Sequence, residues 1–218
     1  MKLSLRIAAT RAEALRCQYL IAQIYNEEYE VLFSDDRYDL TAKIEPWPHR
    51  YLMGIIDGEL ACASGLYLRD TYVERFGDVR EGDVRALVAE AGAGDRYGAS
   101  PCREITKVVV HKRWRGRGLG RAILAAAHTV AFLEQQATAP PLVVFCAKLS
   151  IVRNLWDAIG VRSRTIKPFP FYKVHELYRT DADPMESRLV IPALDIPPRW
   201  YDLAVPGEYP LETLGGRR

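Results

Sequence analysis

One stretch constrains this chain more than any other. Val108-Val109-Val110 is a β-branched run, and Arg115-Gly116-Arg117-Gly118-Leu119-Gly120-Arg121 is a glycine-rich turn ringed with positive charge. Beyond it Leu119, Ile123, Ala126, Val130 and Leu133 recur at spacings of four, three, four and three, the period of a helix with one apolar stripe. A strand that runs through such a turn into a helix N-terminus aims several free backbone amides at one point. The positive end of the helix dipole lies behind them, and glycine removes the Cβ atoms that would keep a ligand away. The natural guest is a diphosphate. The turn is not a Walker loop, because no Gly-Lys-Ser/Thr follows. It is not the dinucleotide fingerprint either, because Gly116-x-Gly118-x-Gly120 lacks the GxGxxG spacing. The competing reading is a plain turn with a solvated basic face, which the flanking strand and periodic helix argue against.

The neighbouring sequence extends an α/β pattern. Leu3, Leu5 and Ile7 alternate with polar residues as a first strand, and Thr10 with Glu13 forms a capping box. The helix it opens runs to about Tyr29, with Cys17, Leu20, Ile21, Ile24 and Tyr25 on one face. Two β-rich runs flank Asp57-Gly58, a hairpin signal. Short helices are expected over 73–76 and 84–91, and strands over 104–111 and 142–147, the latter central and buried. A short helix over 152–159 ends at Gly160. The tail, about 162–218, reads as strands and ordered loops. It is rich in aromatics (Phe169, Phe171, Tyr172, Trp200, Tyr201) that fill core, cover the site or make a homodimer contact. With no internal repeat and no flexible linker, one domain over 1–218 is the simplest account.

Composition removes several classes. Lys+Arg 30 against Asp+Glu 28 leaves a net charge of +2, too small an excess for a general grip on nucleic acid. No stretch approaches the roughly 18 apolar residues of a membrane span, and the N-terminus does not read as a signal peptide. Cys17, Cys62, Cys102 and Cys146 are dispersed, and the four histidines form no HExxH, so a metal site is not expected. Four reduced thiols suit the cytoplasm. Locally the charge is uneven. From Arg103 to Arg121 there are seven basic residues and one acid, Glu104.

Arg115-x-x-Gly118-x-Gly120, with Val108-x-Val110 before it and Ala122-Ile123-Leu124 after it, resembles the Q/R-x-x-G-x-G/A signature of the GCN5-related N-acetyltransferase (GNAT) superfamily. The resemblance covers about 50–161 and is specific over 104–124. It implies a mixed, mostly antiparallel central sheet flanked by helices, with a C-terminal strand and loop extension. It implies acyl-CoA, acetyl-CoA first, as co-substrate. Diphosphate contacts then fall to Arg115, Gly116, Arg117, Gly118, Gly120 and Arg121, and the pantetheine arm pairs with Val108, Val109 and Val110, on a strand that splays from its neighbour. Glu104, on the same strand, is expected to act as general base toward an amine of a small-molecule acceptor. A strand amide at Val109 or Val110 would hold the oxyanion. The family's usual tyrosine is missing, and Trp156 stands in its place. Indole cannot act as an acid, so Trp156 is read as core, and the acid role is left to Ser150, Cys146, Tyr172 or water. Asn154 is read as a helix-surface residue, with a ligand contact as the alternative.

A weaker resemblance links the chain to acyl-homoserine-lactone and long-chain N-acyl amino acid synthases. It rests on Asp36-x-Tyr38-Asp39, Gly65 to Arg69, and Glu104-Ile105-Thr106-Lys107, where lysine stands for the usual arginine. Residues 69–102 would supply an acyl or acceptor pocket, and an acyl carrier protein could replace CoA as donor. The acidic run between Tyr25 and His49 would suit a cationic acceptor. A non-catalytic acyl-CoA sensor is the alternative from another class.

Overall fold

The computed structural model describes residues 1–29, 50–67, 81–133, 140–169, 185–197 and 207–210. Leu3 and Leu5 of β1 (Lys2–Ile7) are fully buried, as their alternation requires. At the start of α1 (Arg11–Tyr29) the capping box forms. Thr10 Oγ1 accepts from the Glu13 N–H at 3.2 Å, and the Glu13 carboxylate accepts from the Ala9 N–H at 2.8 Å. The Arg6 guanidinium closes on the same carboxylate. β2 (Arg50–Ile56) and β3 (Glu59–Tyr67) form the expected hairpin, with Asp57 at φ 49° and Gly58 at φ 81°, the paired positive values of a type I′ turn.

Next come α2 (Glu81–Glu90), the single turn α3 (Gly94–Tyr97) and β4 (Cys102–Val110). A 3₁₀ turn over Lys112–Trp114 leads to α4 (Leu119–Leu133). β5 (Leu142–Lys148) runs into α5 (Leu149–Ile151), which continues as a π-helical segment over Val152–Asp157. Gly160 at φ 78° ends it, with the Val161 N–H returning to the Trp156 carbonyl at 3.1 Å. The tail contributes β6 (Arg164–Phe169), β7 (Met185–Val190), the turn α6 (Pro192–Asp195) and β8 (Gly207–Pro210).

The strands form one sheet in the order β6-β7-β5-β4-β3-β2-β1-β8, antiparallel throughout except for β4 and β5. This is the mixed, mostly antiparallel sheet flanked by helices that the family resemblance implies. Alternate residues go to opposite faces. Leu52, Ile56, Val143 and Phe145 pack with α4, whereas Tyr51 and Met53 pack with α1, and Leu142 and Val144 with α2 and α3.

α4 departs from the single-stripe expectation. Ala122 through Ala131 are all buried, while Leu133, the last member of the stripe, is 56% exposed. A helix buried all round needs cover on both sides. The sheet covers one side, and Val152, Trp156, Ile159 and Ile196 from the segments after β5 and β7 join the same core. Of the tail aromatics Phe169 ends β6, whereas Phe171, Tyr172, Trp200 and Tyr201, the helix expected over 73–76, and the Asp36 and Tyr38–Asp39 stretch lie outside the described residues.

Candidate active site

The site is built on a fork in the sheet. β4 and β5 pair at Cys102↔Leu142, Arg103↔Val143 and Glu104↔Val144. Among the described residues the pairing stops there, while β4 continues along β3 and β5 along β7. Glu104 sits at the root of the fork and is 3% exposed.

Just beyond it β4 carries a bulge. Its register on β3 jumps from Gly65↔Thr106 to Ala63↔Val109, so Ser64 faces two residues, and Lys107 adopts φ 55°. The extra residue inverts the alternation. Ile105 and Val109 would otherwise share a face. Instead Ile105, Val108 and Val110 pack toward α4, and Val109 toward α1. Nothing in the sequence announces this, because the positive-φ position holds lysine rather than glycine or asparagine.

The bulge also decides which amides face the fork. The His111 N–H donates to the Ala61 carbonyl of β3 at 2.9 Å. By strand alternation the Val109 N–H points the same way, and the Val108 and Val110 N–H groups point to the opposite edge, toward the fork. Of the two amides expected to hold an oxyanion, Val110 therefore has the right direction and Val109 does not. Val108, unexpected in that role, shares the direction of Val110.

At the far end of β4 the chain turns. His111 Nδ1 accepts from the Arg113 N–H at 3.3 Å and caps the 3₁₀ turn. Gly116 and Gly118 then adopt φ 74° and 79°, values that side chains resist. A Cβ at Gly116 would meet nothing within 4 Å, so its requirement is conformational rather than spatial. The first bond inside α4 runs from the Ala122 N–H to the Gly118 carbonyl at 3.0 Å. The amides of Leu119, Gly120 and Arg121 precede it and have no partner in the helix.

These amides open on a cleft of about 350 Å³. Of the residues expected to bind a diphosphate or pantetheine, the cleft brings together Val110, Arg115, Gly116, Gly118, Gly120 and Arg121. Val108, Val109, Arg117 and Glu104 do not line it. Glu104 lies six residues back along β4, roughly 20 Å away at strand rise. Trp114, Leu119 and Leu155 line the cleft without having been expected there, and Asn154 lines it in keeping with its alternative reading. Asn154 and Leu155 belong to the π-helical segment, a rare geometry that tends to mark functional sites.

The basic ring is organised. Lys112 Nζ pairs with Glu27 of α1 at 2.9 Å, and this ammonium, followed by the Gln23 amide, holds the Glu27 carboxyl below its usual range. Arg113 reaches both carboxylate oxygens of Glu59, at 2.9 and 3.1 Å. The Arg115 Nε–H donates to the Val110 carbonyl at 3.1 Å. The guanidinium groups of Arg113 and Arg117 lie over the Trp114 ring, 5.0 and 5.2 Å from its centroid.

Trp156 is core, as expected. It is 3% exposed, stacks on Phe145 with centroids 4.0 Å apart, and meets His128 edge-on at 6.5 Å. Cys146 is partly buried, and Tyr172 lies outside the described residues. Burial pushes the Cys17 and Cys62 thiols up to about 12. Among the described residues no group of three His, Cys, Asp or Glu side chains could hold a metal ion, and no helix is long and apolar enough to cross a membrane.

The sequence profile of the Acetyltransferase (GNAT) family matches residues 19–139. Comparison with curated proteins gives no match. Among solved structures, BjaI, described as a CoA-dependent acyl-homoserine lactone synthase with SAM and isopentyl-CoA, aligns at TM-score 0.59 and 13% identity, covering 92% of this chain and 87% of its own. FeeM, an N-acyl amino acid synthase from uncultured soil microbes, aligns at TM-score 0.54 and 10% identity, over 91% and 92%. A Lactobacillus plantarum protein described as a candidate N-acetyltransferase aligns at TM-score 0.52 and 13% identity, over 86% and 97%. At these identities the likeness is one of fold.

Proposed function

Because this chain belongs to the GNAT acetyltransferase family, we propose that it moves an acyl group, acetyl first, from acyl-CoA to an amine of a small-molecule acceptor within a ternary complex. The observation that carries this reading is the cleft at the end of β4, lined by the glycine turn, Arg115 and Arg121, joined by the open edge of β4 to a buried carboxylate at the root of the fork.

Each part then has a task. The turn amides with Arg115 and Arg121 hold the diphosphate by charge-assisted bonds. The pantetheine arm runs along Val108–Val110, on the edge of β4 that β5 has left. Glu104 accepts a proton from the acceptor's ammonium, directly or through one water. The freed amine attacks the thioester carbonyl, and the developing oxyanion takes a hydrogen bond from a fork-facing amide. Val108 is nearer to Glu104 than Val110 and is assigned that bond. The C–S bond then breaks. The attacking nitrogen gives its second proton to the departing thiolate, directly or through a water, and a thiol pKa of about 8.5 lets the sulfur leave without a dedicated acid. Juxtaposing two reactants is the main catalytic contribution of such a site. The four free thiols suit work in the cytoplasm.

Gly118→Asp tests the reading. It sets a carboxylate among amides meant for phosphate, so acyl-CoA binding by calorimetry should vanish while the circular dichroism spectrum persists. Unchanged affinity would overturn the assignment of the turn.

A second reading, a synthase that transfers a longer acyl chain, is favoured by the fold likeness to BjaI and FeeM over nine-tenths of the chain. Mass spectrometry of products from expressing cells separates N-acetylated amines from acyl lactones and N-acyl amino acids.

A further inference from the structure

Five basic residues flank the glycine turn, and the structure gives them different tasks. Lys112 and Arg113 are engaged by Glu27 and Glu59. Arg115 and Arg121 line the cleft. Arg117 does neither. It is exposed, lies outside the cleft lining, and among the described residues has no carboxylate partner. Its guanidinium is held 5.2 Å from the centroid of the Trp114 ring, and Trp114 itself is buried and forms part of the cleft wall. Stacking a planar cation on an aromatic face restricts its rotamers, so less freedom is lost when it meets a ligand.

Coenzyme A carries three phosphates. Two form the diphosphate, and the third esterifies the ribose 3′ oxygen, one sugar away. If the diphosphate occupies the cleft, the third phosphate emerges at its rim, where an unpaired cation is wanted and where Arg117 stands between Gly116 and Gly118. We propose that Arg117, held on Trp114, contacts the 3′-phosphate of coenzyme A. It is thereby a specificity-determining residue that favours free acyl-CoA over an acyl-pantetheine arm on a carrier protein, which lacks that phosphate. This inference rests on the acyl-CoA reading above.

The test is a ratio. Affinities for CoA and 3′-dephospho-CoA are measured by calorimetry on the full chain, at low and moderate salt. The unaltered protein should prefer CoA by about three- to fivefold, the range of an exposed ion pair, and the preference should shrink with salt. Arg117→Gln should bring the ratio close to one. Arg121→Gln, within the cleft, should weaken both ligands by a similar factor and keep the ratio. Equal binding of both ligands by the unaltered protein, or a ratio that survives Arg117→Gln, overturns the inference and leaves the acyl-CoA reading standing. If Arg117→Gln weakens both ligands alike, Arg117 serves the diphosphate instead. If the unaltered protein binds neither, the acyl-CoA reading falls and this inference with it.

Discussion

Glu104 and Val144 form the last backbone pair between the two parallel strands, and beyond it β4 and β5 go separate ways. Under the proposed function a thioester arm laid along the open edge of β4 would end near this pair, beside a carboxylate that is almost wholly out of water. Glu104→Gln keeps the shape and removes the proposed base. It should lower kcat by about 10²- to 10⁴-fold and change the KM for acyl-CoA far less. Steady-state thiol release with a reactive amine is the check, and a kcat that hardly moves would put the base elsewhere.

Trp156 stands at the sequence position of the family's usual acid, yet its ring lies flat on Phe145, 15° from parallel. Its contribution is packing. Trp156→Phe should keep activity within about twofold while lowering stability modestly. Trp156→Ala should cost about 3–5 kcal/mol in urea unfolding, as truncation of a large buried aromatic does. A tenfold loss of kcat in a stable Trp156→Phe protein would return the indole to the mechanism.

What could be read from the residues follows a physical division. The Asp57-Gly58 hairpin, the Thr10–Glu13 box, the start of α4 and the glycine turn rest on local preferences, and the structure has each of them. Long-range pairing is not local. Nothing in 185–190 says that β7 enters between β5 and β6, or in 207–210 that β8 closes the far edge on β1. The same holds at the site. Residues bound to the turn by backbone geometry, such as Gly116 and Gly118, were legible. The direction of the Arg117 side chain was not, because it depends on a tryptophan face that only folding brings near. Leu155 was missed, and Asn154 read first as surface, because the π-helical register that lines the cleft with them has no compositional mark.

The bulge at Lys107 holds a non-glycine residue at φ 55°, which costs about 1–2 kcal/mol for an ordinary side chain. A β-branched residue is resisted more strongly there. Lys107→Val should therefore lower stability by about 1 kcal/mol or more, whereas Lys107→Gly should be neutral or mildly stabilising. Because the bulge turns the Val108 and Val110 amides toward the fork, Lys107→Val should also weaken acyl transfer. Urea unfolding together with thiol release tests both. Equal stability of the valine and glycine variants would remove the strain from the account.

His128 is fully buried on α4, among apolar side chains and edge-on to Trp156. Among the described residues neither ring nitrogen has a hydrogen-bond partner, and desolvation pushes the imidazole down to about 3. The folded state therefore keeps His128 neutral where the unfolded chain protonates it, near 6.5. Above that pH the proton-linked cost is absent. As pH falls from 6.5 toward 3 the unfolded state binds the extra proton, and stability drops at up to about 1.4 kcal/mol per pH unit. Glu13 acts lower down. Arg6 and the Ala9 amide hold its carboxyl at about 2, so its contribution is intact above its ordinary 4.5 and fades below that. Between pH 6.5 and 5 the slope then belongs chiefly to His128. In His128→Leu, Tm should stay nearly flat across that window while the unaltered protein loses stability steadily. Parallel Tm curves for the two proteins would assign the slope to another group.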